Sequence, residues 1–367
     1  MRRIKTAAIN IAVVAGSIVV CLLFFELFVF RFVLVASDVP ANDFVDGLVR
    51  YAPNQRGVWR VRNEIAAPYV INAQGWHSGT GDYVVTRKPG VARVAVVGDS
   101  YVEAMQVPYD RSLAERLAVE LSRVAHPVEA YRFGMSGAPL SQYLYMTERE
   151  VSRYRPDWIV VLLVHNDFDE SLHPLPGRYT SSFLKVRVDH GRVVEEIAPR
   201  PWRPGATDWI SQTATIRYLL YRSRVSMSVW REWLNPSART AHDRFGANID
   251  IDAVLRQMPD IVAATDHLFG RLNAVARGSG ARLLLAMDGD RQALYAGAAE
   301  VRTLALNAMA AELARRHGIL FVDLHPVFSA DWRANAKRFD YASDNHWNEY
   351  GHAVAARAIA RAMKGQD

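Results

Sequence analysis

The chain has almost no cysteine. Its single thiol, Cys21, lies inside an apolar N-terminal run, so no disulfide closes within the chain and no cysteine-based zinc site forms. It has no block of five or more Lys/Arg and no zinc-finger spacing. Its basic excess is modest, 44 Lys+Arg against 38 Asp+Glu, so nucleic acid is not an expected partner. No glycine-rich phosphate loop is present, which argues against phosphoryl transfer. Internal repeats and low-complexity tracts are also lacking. What remains is 367 residues, 50% hydrophobic and 22% charged, enough for a sizeable core in one large or two modest domains.

Charge is missing from one long stretch. Arg2, Arg3 and Lys5 precede Thr6 to Phe25, 20 residues without a charge, about the length that crosses a hydrocarbon core. Glu26 interrupts the run, and Leu27 to Val35 continue it with only Arg31 charged. The leading positives place the N-terminus in the cytoplasm and the rest of the chain outside. A cleaved signal peptide is the rival reading, but its apolar region is normally shorter and the Leu34-Val35-Ala36 cleavage site is weak. An uncleaved anchor over 1–37 is the favoured expectation.

Residues 38–90 read as a polar, irregular connector broken by Pro40, Pro53, Pro68 and Gly79-Thr80-Gly81-Asp82, with Asn72 to Trp76 as a turn packing back on the domain. A β-α-β rhythm comes next. Arg93–Val97 predicts a strand, and Ser112 to Glu115 a capping box opening a helix with Leu113, Leu117, Leu121 and Val124 on one face. Val128–Phe133 predicts a strand, 139–154 a helix, and Trp158–Val164 a strand whose unbroken apolar run belongs in a sheet covered on both faces. The rhythm pauses over 171–250, read as an insertion or lid with a hairpin around Asp189-His190-Gly191 and an aromatic helix near 208–234. It resumes with a helix near 252–276, strand Arg282–Ala286, helix 291–316, strand Ile319–Leu324 and a last helix, 348–363. The alternation predicts an α/β domain over 91–367 built on a parallel, helix-covered sheet.

In open parallel sheets, sites gather at the carboxyl ends of the strands. Four groups sit at such ends or just before a helix: Ser100; Gly134-Met135-Ser136-Gly137; His165-Asn166-Asp167; and Asp344 with His346, more than 240 residues after Ser100. Their chemistry is complementary. Ser100 suits a nucleophile, His346 a base that takes and returns its proton, and Asp344 a carboxylate that fixes the imidazole tautomer. The backbone N–H groups of Ser100 and Gly137 and the Asn166 amide suit an oxyanion hole.

Gly98-Asp99-Ser100, Ser136-Gly137, Asn166-Asp167 and Asp344-Asn345-His346 resemble, in order, the four blocks of the SGNH/GDSL hydrolases. The resemblance spans about 91–363. It implies a flavodoxin-like three-layer α/β/α sandwich, with Ser100, Gly137, Asn166 and His346 as the name-giving residues and Asp344 beside them. Two departures stand out. Many members carry the aspartate three residues before the histidine, where this chain has Ser343. Asp-x-His-Trp is closer to the branch that includes bacterial alginate O-acetyltransferases. The third block usually has glycine before asparagine, and here it is His165, a substrate-binding candidate.

Other residues have plainer readings. Ser136 is a rival nucleophile whose Gly-x-Ser-x-Gly elbow fails at Ala138. His165, Asp167, Asp169 and His173 look like metal ligands on paper, but no motif fixes their geometry, so neither metal nor cofactor is expected. His325 and His352 read as packing or surface residues. Trp202, Trp209, Trp230 and Trp233 with Arg200, Arg203, Arg222 and Arg224 suit either a sugar chain or, the favoured reading, a lid helix packed on the sheet or resting on anionic headgroups. The expectation is an ester hydrolase or O-acyltransferase on the outer side of a bacterial inner membrane, acting on an acylated envelope glycan or lipid, with a polysaccharide among the candidate substrates. The alternative is a catalytically silent glycan-binding or scaffold protein.

Overall fold

The computed structural model describes residues 2–123, 127–173, 178–225, 245–246 and 249–365. Helix Arg2–Phe24 runs on into a π-helical segment, Phe25–Val33. The stretch Ile9–Val33 is apolar and exposed, long enough to cross a membrane by length and composition; a signal sequence meets the same criterion.

Residues 38–90 are irregular only in part, chiefly beyond Val70. They fold into two antiparallel hairpins, β1 (Asn42–Val45) with β2 (Leu48–Tyr51) and β3 (Arg56–Val61) with β4 (Ile65–Val70). The prolines that suggested irregularity fall at strand margins or, for Pro68, on a two-stranded ribbon, where a missing N–H is tolerated. The turn at Asn72 does pack back: its side-chain oxygen accepts from the N–H groups of Gln74 and Trp76, and the Trp76 ring is fully buried against Phe133.

The central sheet is formed by β5 (Ala92–Gly98), β6 (Val128–Gly134), β7 (Trp158–Leu163), and, after the β8–β9 hairpin (Lys185–Asp189, Arg192–Ile197) and the short β10–β11 pair (Phe245–Gly246, Ile249–Asp250), β12 (Arg282–Met287) and β13 (Leu320–Asp323). All five strands are parallel, in the order β13-β12-β7-β5-β6. Numbered by first appearance this is 2-1-3-4-5, the flavodoxin-like arrangement.

Alternation along the strands divides the core. Val94, Val96, Val160, Leu162, Leu284 and Ala286 face helices Leu113–Ser122, Leu324–Asn335 and Glu349–Lys364. Ala95, Val97, Ile159, Val161, Leu283 and Leu285 face helices Leu140–Arg149, Met258–Gly278 and Leu304–Arg316. These are the three layers of an α/β/α sandwich. Leu48, Val49, Tyr51 and Trp76 from residues 38–90 join the second face.

Four local expectations change. The helix expected over 291–316 is two helices, Arg291–Ala296 and Leu304–Arg316, because Gly297 takes the left-handed conformation that ends the first. The Ser112 hydroxyl bonds the Glu115 carboxylate instead of a backbone N–H, so Ser112 is the N-cap without a capping box. Helix Leu324–Asn335, opened by Asp323, had no counterpart in the sequence reading. In the insertion, the aromatic helix is short and broken: Ala206–Ser211, Ala214–Arg217 and the π-helical Tyr218–Arg222, with 226–234 outside the described residues.

Candidate active site

The sheet reverses its direction of growth between β5 and β7, and that crevice is where ligands enter such folds. Strand β5 ends there and hands the chain directly to a single helical turn, Ser100–Glu103. Asp99 caps it, its carboxylate accepting from the Tyr101 N–H at 2.8 Å. The turn lies hard against the end of β6. A Cβ on Gly134 would sit 2.1 Å from the Glu103 backbone nitrogen, so only glycine permits this approach.

Ser100 Oγ lies 2.7 Å from His346 Nε2. His346 Nδ1 lies 2.5 Å from Asp344 Oδ1, which also accepts from the His346 backbone N–H at 3.0 Å. With the ring proton held on Nδ1 by the carboxylate, Nε2 is the acceptor for the serine hydroxyl. Burial alone would raise the Asp344 carboxyl, but His346 beside it, the hydrogen bond to that ring and the Arg224 guanidinium together hold it at about 2. It is ionised at every pH at which the protein would work. Asp99 responds the other way. Its burial pushes it up to about 6 despite the Tyr101 N–H and His346, and its Oδ2 is only 3.4 Å from Ser100 Oγ.

Gly137 follows β6 with φ +70°, and a Cβ there would meet only Thr180 Cγ2, at 3.8 Å. Among the described residues, the backbone N–H groups of Ser100 and Gly137 meet no protein acceptor. Asn166 follows β7 and stands at the head of the short helical turn Asp167–Glu170. His165 is buried, with Nε2 3.0 Å from Asn307 Oδ1, and burial lowers its ring to about 4. It lines a small separate cavity with Asn166 and Asp288. Asp167 is a structural anchor: its carboxylate accepts from the Val164 N–H and the Tyr143 hydroxyl, both at 2.8 Å. His173 turns to Gln257. Among the described residues no group of three or more His, Cys, Asp or Glu is placed to hold a metal ion. Ser136 lines the same cleft as Ser100, but the imidazole of His346 is bonded to Ser100.

The segment carrying Asp344 and His346 has no regular structure, and side chains from elsewhere hold it. Arg291, buried, donates to the Asn345 carbonyl at 2.7 Å, to the Tyr101 hydroxyl at 2.7 Å and to Asp288 at 3.0 Å. Asp288 also accepts from Trp347 Nε1, and Tyr101 packs its ring 4.9 Å from that of His346. On the opposite side, the Glu64 carboxylate, from the β3–β4 hairpin, accepts from the N–H groups of Ala342 and Ser343 at 3.0 and 2.8 Å. Arg224, from the insertion, pairs with Asp344 Oδ2. The sequence reading did not show the parts played by Asp288, Arg291, Tyr101 and Glu64, and placed Arg224 only in the insertion's tryptophan–arginine set, read as a lid helix by preference and as a sugar-binding set otherwise. Asp288 was within reach of the strand-end rule, since it directly follows β12.

Ser100 and His346 open onto a cleft of about 350 Å³. Its walls include Val39 and Pro40 from the segment before β1, Tyr51 and Trp59 from the N-terminal hairpins, and Trp202, Trp209 and Gln212 from the insertion. Glu103 lies on its floor, bonded to the Tyr51 hydroxyl, and burial pushes its carboxyl up to about 8. Trp230 and Trp233 fall outside the described residues.

A doubly wound parallel sheet with a Ser–His–Asp hydrogen-bond chain at its switch point defines a class of α/β/α hydrolases. The chain belongs to the GDSL-like lipase/acylhydrolase family, whose profile matches residues 96–354, and it is accordingly an ester-acting hydrolase. No curated protein matches it. Among solved structures, it is similar to a lipase/acylhydrolase from Enterococcus faecalis, at 13% identity and a TM-score of 0.42, covering 75% of this chain and 96% of that one. An acetylxylan esterase from Geobacillus stearothermophilus matches at 13% identity and TM-score 0.40, covering 74% and 94% of the two chains. A two-domain esterase active on acetylated mannans matches at 10% and 0.39, covering 75% of this chain and 49% of its own.

Proposed function

We propose that the protein transfers an acyl group from an ester through a Ser100 acyl-enzyme. The observation that carries this is the hydrogen-bond chain from Ser100 Oγ through His346 to Asp344. Ser100 Oγ attacks the ester carbonyl as Nε2 of His346 takes the hydroxyl proton, and Asp344 steadies the imidazolium. The tetrahedral oxyanion sits toward the Ser100 and Gly137 N–H groups and the Asn166 amide. Collapse breaks the bond to the leaving alkoxide, which receives the proton from His346. Water, or a sugar hydroxyl, then attacks the Ser100 ester, giving its proton to His346, which returns it to Ser100 Oγ. Water as acceptor makes an esterase, a sugar hydroxyl an O-acyltransferase.

The N-terminal helix is read as an uncleaved anchor, with the catalytic domain outside. Its favouring observation is that Glu26 accepts hydrogen bonds from the Ala214 and Thr215 N–H groups at 2.7 and 2.9 Å, contacts that cleavage near Ala36 would remove. The test is turnover of p-nitrophenyl acetate by the full chain, with and without an added acetyl-accepting oligosaccharide. Activity abolished by Ser100→Ala is expected. Ester turnover that survives Ser100→Ala, or ligand binding with no turnover by the wild type, sinks the assignment.

A further inference from the structure

The insertion is not docked on the catalytic domain alone. Its helix Ala214–Arg217 is capped by Glu26, whose carboxylate also accepts from Thr215 Oγ1 at 2.8 Å. One turn on, the Tyr218 ring stacks on Phe30 at 4.8 Å between centroids, and Arg217 donates to the Ser37 carbonyl and to Asp38. The insertion therefore rides on the last turns of the apolar helix. The charge-free run from Thr6 ends at Phe25 after 20 residues, which at about 1.5 Å each is about 30 Å, the thickness of the hydrocarbon core. A crossing made by that run puts Glu26 at the outer edge of the core, and the apolar turns from Leu27 to Val33, with whatever caps onto Glu26, at headgroup depth. A carboxylate is tolerable there because three donors satisfy it.

The exposed surface of the insertion fits this depth. Trp209 and Ile210 are 69% and 57% exposed, and Leu219 and Leu220, further along the same segment, are exposed as well. All four belong to the part of the insertion that the anchor holds. Tryptophan with aliphatic neighbours is the composition that settles at a lipid–water boundary. The same segment lines the Ser100 cleft through Trp209, Gln212 and Tyr221, and Val39 to Ala41, which come directly after the anchor, line it too. The cleft is thus lined by two elements tied to the membrane-proximal end of the chain.

We propose that residues 205–225 are seated in the lipid–water interface and that the Ser100 cleft takes an amphiphilic ester presented from the bilayer. The substrate half rests on the acyl-enzyme reading; the seating half does not. The experiment uses the full chain with Cys21→Ser, reconstituted in phosphatidylethanolamine/phosphatidylglycerol vesicles. Spin labels are placed at Ile210→Cys or, for comparison, Val194→Cys, an exposed position on β9. The label at 210 is expected to favour oxygen over a polar nickel relaxant, and the label at 194 to show the reverse. A water-like label at 210 overturns the seating. For the substrate, Ile210→Asp with Leu220→Asp, neither lining the cleft, is expected to lower turnover of vesicle-borne p-nitrophenyl palmitate about tenfold while p-nitrophenyl acetate is unaffected. Equal effects on the two esters overturn the amphiphile. If Ser100→Ala leaves both turnovers intact, the acyl-enzyme reading fails while the label result stands.

Discussion

The two ends of the Ser–His–Asp chain are held by different means. Ser100 belongs to the sheet: β5 ends beside it, and the turn it begins is pressed onto β6 through Gly134. Asp344 and His346 lie on a stretch between two helices. That stretch is fixed by Asp288 at the end of β12, by Arg291 at the start of the next helix, by Tyr101, by Glu64 of an N-terminal hairpin and by Arg224 of the insertion. Ser100 is positioned by backbone, His346 by side chains converging from four parts of the chain.

Mutations can break or sharpen that contrast. Ser100→Ala and His346→Ala should each cost about 10⁴-fold or more in kcat, and the double variant no more than either alone, since the two act as a unit. Single-variant losses that multiply in the double would deny the coupling. Next is Arg291→Met, which leaves Asp288 buried without its cation. Removing one partner of a buried pair costs about 3–5 kcal/mol, so the melting temperature should fall steeply along with kcat. An unchanged melting temperature would show that the pair does not hold the segment.

Gly134→Ala tests the backbone side. The added methyl must displace the Ser100 turn, and kcat should drop about 10²-fold with KM less affected, read by steady-state kinetics. Arg224→Ala should cost only about two- to fivefold, because Asp344 keeps its bond to His346 and the arginine is partly exposed. A loss as large as that of His346→Ala would make the insertion part of the catalytic machinery.

The last effect concerns pH. Burial holds Glu103 protonated up to about 8, against 4.5 for a free glutamate. The folded state therefore binds more protons than the unfolded one between those values, so this group contributes stability below about 4.5 that is lost as the pH rises through 8. Glu103→Gln should flatten the fall of melting temperature between those pH values, and identical slopes for variant and wild type would remove Glu103 from the account.

The sequence made the sheet legible because β5, β7 and β12 must be apolar on both faces, and that pattern survives without knowledge of the neighbours. It exposed Ser100 and the Asp344–His346 pair for a related reason: nucleophile, base and carboxylate are chemically distinctive at the ends of such strands. Residues 38–90 were harder. Their strands are short, and the partners that bury Tyr51 and Trp76 lie a long way along the chain. The same holds for Glu64 and Arg291, whose value depends on the segment they reach.

By itself, then, the amino-acid order determined a covered parallel sheet and an apolar N-terminal helix and singled out the proposed reacting groups, because hydrophobic period and side-chain chemistry are local properties. Only the tertiary structure decided that Glu26 would cap the insertion, that Arg224 would reach Asp344, and that two N-terminal hairpins would wall the cleft. Those arrangements join parts of the chain far apart in sequence, chosen by which surfaces pack and which buried charges find partners, and no single stretch of the chain carries that information.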